Sequence, residues 1–211
     1  TGYISEEKSA RFADKTPKIA VLCGMGNNGG DGFICAALLK KAGLDTTVLA
    51  LYGPPRTENA SKAFDELKNT DAEIVDLNIA PRFDTEKLIS SCDIIVDAIF
   101  GIGFHGIAEG REKEAIEFIN CLHEKGAVVF SADVPSGLGS EFKVHPDITI
   151  GVQAVKYACA CGTSAAACGA PAAIDALIPG VKAEAQLIEH GDLQIVNILS
   201  IVLILFPQKS E

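Results

Sequence analysis

Positive charge is in short supply: 18 Lys and Arg stand against 28 Asp and Glu in 211 residues, a formal net charge of −10. A surface of that sign opposes general binding to nucleic acid or to an anionic membrane, and neither partner is expected. An anionic ligand must instead be held locally, by backbone N–H groups, a helix N-terminus or a metal ion. No Cys-x-x-Cys pair occurs among Cys23, Cys35, Cys92, Cys121, Cys159, Cys161 and Cys168, which removes support for a zinc ribbon. These thiols sit mostly inside apolar segments and read as buried groups in a reducing, cytoplasmic setting. The first residues show no basic stretch leading into an apolar run, so no secretory leader is expected there. Long hydrophobic runs are missing too. The most apolar stretch, IVNILSIVLILF at 195–206, has about half of the roughly 20 residues that span a bilayer. It reads as a core or interface strand that could dock a partner subunit, which leaves a homodimer open. Repeats and low-complexity tracts are absent, and the length suits one domain over residues 1–211.

What the chain does have is a series of short Val- and Ile-rich runs: KIAVLC (18–23), TTVLAL (46–51), AEIVDL (72–77), DIIVDAIF (93–100) and AVVFSA (127–132). Their length and lack of polar alternation suit strands covered on both faces. Helical spacing lies between them. DGFICAALLKKAG (31–43) puts Phe33, Ala36, Ala37 and Leu38 toward one face and ends on Lys40, Lys41 and Gly43. REKEAIEFINCLHEKG (111–126) has Ala115, Ile116, Ile119 and Leu122 as its stripe, and TENASKAFDELKN (57–69) reads as a third helix. Alternation of strand and helix predicts an α/β fold, a Rossmann-like doubly wound, mostly parallel sheet with helices on both faces in three layers. After Ser140 the pattern weakens. ITIGVQAV reads as one more strand, whereas YACACGTSAAACGAPAAI is ambiguous between helix and packed loop.

In such a sheet ligands bind beyond the carboxyl ends of the strands. Three strands run into conspicuous loops there: GMGNNGGDG (24–32), DAIFGIGFHG (97–106) and DVPSGL (133–138). Asn27, Asn28, Asp31, Asp97 and Asp133 are thereby predicted to share one crevice. The five glycines of the first loop cost backbone entropy and add no side-chain packing, so a backbone free to approach a ligand is the expected return.

Familiar motifs are incomplete. Gly24, Gly26 and Gly29 spell G-x-G-x-x-G, but the second strand ends LALYG without the acid that would hold a ribose. No Lys-Ser/Thr pair follows the glycines, which excludes a Walker A loop. His105, His123, His145 and His190 are scattered, so no Ser-His-Asp or Cys-His set can be read. For His105, ligand contact and space filling both stay open. Asn27, Asn28 and Asp31 could also simply cap the helix that starts near Gly30. The remaining oxygen ligands suit a hard cation better than zinc or copper; Asn28, Asp97 and Ser136 could form such a cage, and Asp133 is the natural acid/base.

Taken together, GMGNNGGDG, DAIFGIGFHG and DVPSGL, in that order and spacing, resemble the NAD(P)HX epimerase family, the YjeF N-terminal domain. The likeness is strongest over residues 18–138 and poor from about Tyr157 onward. It implies an isomerase that interconverts the R and S forms of NAD(P)H hydrated at carbon 6 of the nicotinamide ring, a repair reaction shared with a partner dehydratase. It also implies roles residue by residue. Asn27, Asn28, Gly29, Gly30 and Asp31, with Gly101, Ile102, Gly103, Phe104, His105, Gly106 and Ile107, would contact the dinucleotide substrate. Asp133 would touch it as the acid/base, and potassium would sit among Asn28, Asp97 and Ser136. The competing reading is a nucleotide-binding or scaffold module without activity on the same fold.

Overall fold

The computed structural model describes residues 15–79, 91–152, 155–160 and 164–174. In chain order the elements are β1 (Lys18–Cys23), α1 (Asn27–Lys41), β2 (Asp45–Ala50), α2 (Glu58–Lys68), β3 (Glu73–Asp76), β4 (Ile94–Ala98), α3 (Gly110–Glu124), β5 (Val128–Ala132), β6 (Ile148–Val152), α4 (Tyr157–Ala160), a 3-10 turn (Ala165–Ala167) and β7 (Ala170–Ile174). The strands form one sheet in the order β3-β2-β1-β4-β5-β6-β7, and every neighbouring pair is parallel. Chain order reverses between β1 and β4, so the crevice of a doubly wound sheet opens there.

The pleat sends alternate residues to opposite faces, which explains why nearly every position of the inner strands is apolar. On one face Ile19, Val21, Val48, Val96 and Phe130 pack with Phe33, Ala36 and Leu39 of α1 and with Ala63 and Leu67 of α2. On the other, Ala20, Leu22, Leu49, Ile95 and Val129 pack with Ile116, Ile119 and Leu122 of α3. Helices on both faces give the three layers that the alternation of elements predicts. α2 starts where its sequence says it should, with the Thr57 side chain accepting from Ala60 N at 3.3 Å.

Three expectations need correction. α1 begins at Asn27 rather than near Gly30, so NNGGD is its opening turns and not a loop. Within α1 it is Leu39 that is buried, 1% exposed, whereas Leu38 is 39% exposed. The buried arc centres on Ala36, and at 3.6 residues per turn Leu39 lies about 60° from it and Leu38 about 160°. The ambiguous segment after Tyr157 contains a strand, β7, which pairs with β6 through Ile148↔Ala170 and Ile150↔Ala172. Its Ala-Pro-Ala-Ala-Ile composition carries none of the β-branched signal that marks the other strands until its last residue. The apolar 195–206 stretch and Cys161 lie outside the described residues. Cys23, Cys35, Cys159 and Cys168 are buried and Cys92 and Cys121 half-buried, none of them in a disulfide. No helix among the described residues is long and apolar enough to cross a membrane.

Candidate active site

The first loop is tied to the middle of the sheet. Gly24 N donates to Ala98 O at 3.1 Å, at the end of β4, and Arg56 N donates to Met25 O at 2.9 Å. Its glycines are mostly steric necessities. A Cβ on Gly24 would stand 2.1 Å from Ile99 O, one on Gly29 1.9 Å from Gly24 O, and one on Gly32 2.7 Å from Ala98 Cβ. Gly30 takes the close crossing with α2, where a Cβ would lie 3.0 Å from Ala60 Cα. Only Gly26 of this loop faces open space. Gly26 is also the N-cap of α1, and no side chain caps the helix. Asn27, Asn28 and Asp31 are therefore not spent on capping, and the first N–H groups of α1 keep their pull on an anion.

Asp97 stands at the carboxyl end of β4, fully buried. Its Oδ2 accepts from Ser131 Oγ at 2.8 Å and Ser136 N at 2.9 Å; its Oδ1 accepts from Ser136 Oγ at 2.5 Å and Ile99 N at 3.3 Å. Burial pushes the Asp97 carboxyl above the usual range, and these four donors oppose that shift. Ser136 Oγ in turn accepts from Phe100 N at 2.9 Å, so one hydroxyl fastens the β5 turn to the loop after β4. Ser131 is a site residue that sequence reading missed. It sits directly across from Asp97 in the β4–β5 register, and register is not legible in a single strand.

Asp133, the first residue after β5, has φ +69, and among the described residues no other non-glycine enters the left-handed region. Asp133 N donates across to Ile150 O of β6 at 2.8 Å, and Val134 N donates to Ala132 O at 2.9 Å, closing a tight turn around Asp133. Its Oδ2 accepts from Ile102 N at 2.8 Å, and its Oδ1 pairs with Lys156 Nζ at 3.1 Å. A Cβ on Gly101 would fall 2.8 Å from Asp133 Oδ2 and 3.4 Å from both Cβ and Cγ of Asn28. All three loops thus meet at Gly101.

Asn28 contributes an anomaly: its Oδ1 and Nδ2 are buried and have no hydrogen-bond partner. Such groups cost about 1–3 kcal/mol each unless something else meets them. Asp31, half-buried on the same helix, has its carboxyl pushed up by burial first and by the Asp133 charge second, with Lys156 opposing. Asn27, Ile102, Gly103, His105, Gly106 and Ile107 are exposed on this rim, and Phe104 stacks on Phe100 with ring centroids 3.9 Å apart. Ile102, Phe104 and His105 also line a cavity of about 240 Å³ with Val134, Pro135 and Leu138. Among the described residues no three His, Cys, Asp or Glu side chains gather as metal ligands. A cation here would rest on amide, hydroxyl and single-carboxylate oxygens.

Sheet order, layers and rim define a Rossmann-like α/β domain whose polar groups converge at the switch point. Within that class the chain belongs to the family described as YjeF-related protein N-terminus, whose model matches residues 4–158. An NAD(P)H-hydrate epimerase of Limosilactobacillus fermentum is 38% identical over 124 residues, covering 59% of this chain and 55% of that protein. One from Caenorhabditis briggsae is 32% identical over 161 residues, covering 71% and 62%. The bifunctional NAD(P)H-hydrate repair enzyme Nnr of Escherichia coli is 35% identical over 132 residues, covering 62% and 24%. The matched stretch thus spans 55% and 62% of the two epimerases and about a quarter of the bifunctional enzyme. The crystal structure of yeast ynu0, YNL200c, superposes with a TM-score of 0.58 at 26% identity, covering 67% of this chain and 60% of that one.

Proposed function

We propose that this domain epimerises the R and S forms of NAD(P)H hydrated at carbon 6, using Asp133 as acid/base. The observation that carries the reading is the meeting of Asn28, Gly101 and Asp133, with a carboxylate fixed by Ile102 N at 2.8 Å. Relatives named as epimerases supply the substrate class. In the reaction the bond between carbon 6 and its hydroxyl breaks as the oxygen takes a proton and leaves as water. Water then adds to the opposite face and gives a proton back. Asp133 carries that proton, and the open N–H groups of α1 beside Gly26, Asn27 and Asn28 hold a phosphate of the dinucleotide. Asp31, with the 101–107 rim, walls the substrate, while Gly29 and Gly30 act by letting α1 start close to β4 and α2. A dehydratase would consume one epimer.

The donor set fits potassium. Asn28 Oδ1 lacks a partner, and Asp97 is a buried carboxyl met only by neutral donors. Asn28, Asp97 and Ser136 would hold the ion, which would supply fixed positive charge near the phosphates of an otherwise acidic protein.

The test is to follow equilibration of purified R and S epimers of both hydrates by chromatography. Wild-type chain should accelerate it, and Asp133→Asn should lower kcat by about 10² to 10⁴. Asn tolerates positive φ as Asp does, so the variant should keep its fold. Binding of the dinucleotide without any acceleration would support a module without activity instead.

A further inference from the structure

Lys156 belongs to none of the three loops. It follows β6, four residues after Val152, at the start of the segment where strand and helix signals fade in the sequence. The fold nevertheless delivers it to the centre of the site. β6 pairs with β5 in parallel, with Ala132 opposite Ile150, so the end of β6 lies beside the turn that presents Asp133. Lys156 Nζ then lies 3.1 Å from Asp133 Oδ1, with the two side chains 25% and 14% exposed. The ion pair is thus largely shielded from solvent, where a charge pair is screened less than at the surface. Ile102 N holds the other oxygen at 2.8 Å. Two donors from two different segments, one on each oxygen, leave the carboxylate a single orientation. Each oxygen keeps a free lone pair for the cleft.

We infer that Lys156 is a positioning residue for the epimerisation: it fixes the Asp133 carboxylate opposite Ile102 N. The inference rests on the epimerase reading for its kinetic consequence and on geometry alone for its structural one. Without Lys156 the carboxylate keeps only Ile102 N and is free to turn toward solvent. The cost falls on the reacting geometry. Phosphate holding by α1 stays, since it uses backbone groups on another element.

The experiment has two arms on the full chain. In the kinetic arm, Lys156→Met should lower kcat by about 10- to 100-fold with KM changed by less than about threefold. Lys156→Arg should recover part of the loss, and methylammonium should restore activity to Lys156→Ala in a saturable way; Lys156→Gln replaces Met if the latter folds poorly. An unchanged kcat, or a loss that neither Arg nor methylammonium repairs, overturns the role. In the second arm the Ile102 amide resonance is followed by NMR without substrate. It should move in Lys156→Met and return toward its wild-type position in Lys156→Arg. An unmoved Ile102 amide overturns the inference even if the wild-type chain proves inactive, whereas inactive wild type with a moving amide counts against the epimerase reading and leaves the Lys156 to Asp133 pairing standing.

Discussion

The loop after β1 and the loop after β4 are both rich in glycine, and they use it for opposite ends. In the first, Gly24, Gly29 and Gly32 have backbone or core atoms 1.9 to 2.7 Å from where a Cβ would stand. In the second, Gly103 has nothing within 4 Å and Gly106 only the tip of Phe104 at 3.7 Å. Gly101 stands between these cases, since its nearest neighbour is the carboxylate of Asp133 at 2.8 Å. The first loop is therefore glycine-rich so that α1 can start hard against β4, and the second so that a rim can stay open. Density of glycine by itself distinguishes neither.

Substitutions can break that contrast. Gly24→Ala forces a Cβ into the Ile99 carbonyl and should destabilise the fold by about 3 kcal/mol or more, while Gly103→Ala should stay within about 0.5 kcal/mol. Urea unfolding of the pair reads both, and equal midpoints would erase the distinction. Gly101→Ala should leave unfolding within about 1 kcal/mol, because Asp133 Oδ2 is the end of a side chain that can swing. Its kcat for epimerisation should fall at least about tenfold, as the bond from Ile102 N is displaced. A matching loss of stability would put Gly101 with the packing glycines instead.

The ion site gives a third comparison. Potassium at ten times its dissociation constant should raise the unfolding free energy by about 1.4 kcal/mol over tetramethylammonium at equal ionic strength. Asn28→Ala should remove most of that gain, which thermal unfolding in the two salts would reveal. The smallest effect concerns pH. Asp31 holds its proton more tightly folded than unfolded. The unfolded state thus releases it first, and this group's contribution is present at low pH and lost as pH rises above about 4. Asp31→Asn should flatten that part of the stability profile, and an identical slope in both proteins would remove Asp31 from it.

Strand and helix alternation, the parallel sheet, and the three loops at one edge were legible because they depend on local patterns: Val and Ile runs, helical stripes, and clusters of Gly, Asn and Asp. The start of α1 was not, since Asn-Asn-Gly-Gly has poor helix propensity and forms a helix here only under tertiary packing against β4 and α2. β7 was hidden for the same reason, a weak local signal answered by pairing with β6. Of the site, Asp97, Ser136 and Asp133 could be placed by following strands to their ends. Ser131 and Lys156 could not, because the first depends on register and the second on which strand lies beside β5.

Sequence alone determined the order of elements, the acidic balance that obliges an anion to be held by local groups, and the identity of the carboxylates at the strand ends, all consequences of composition and spacing along one chain. Tertiary structure decided which glycines are packed and which are open, that the Asn28 amide is buried without a partner, and that Lys156 stands against Asp133. Those are facts about distances between residues far apart in the chain, and only the strand order β1-β4-β5-β6 brings them within reach.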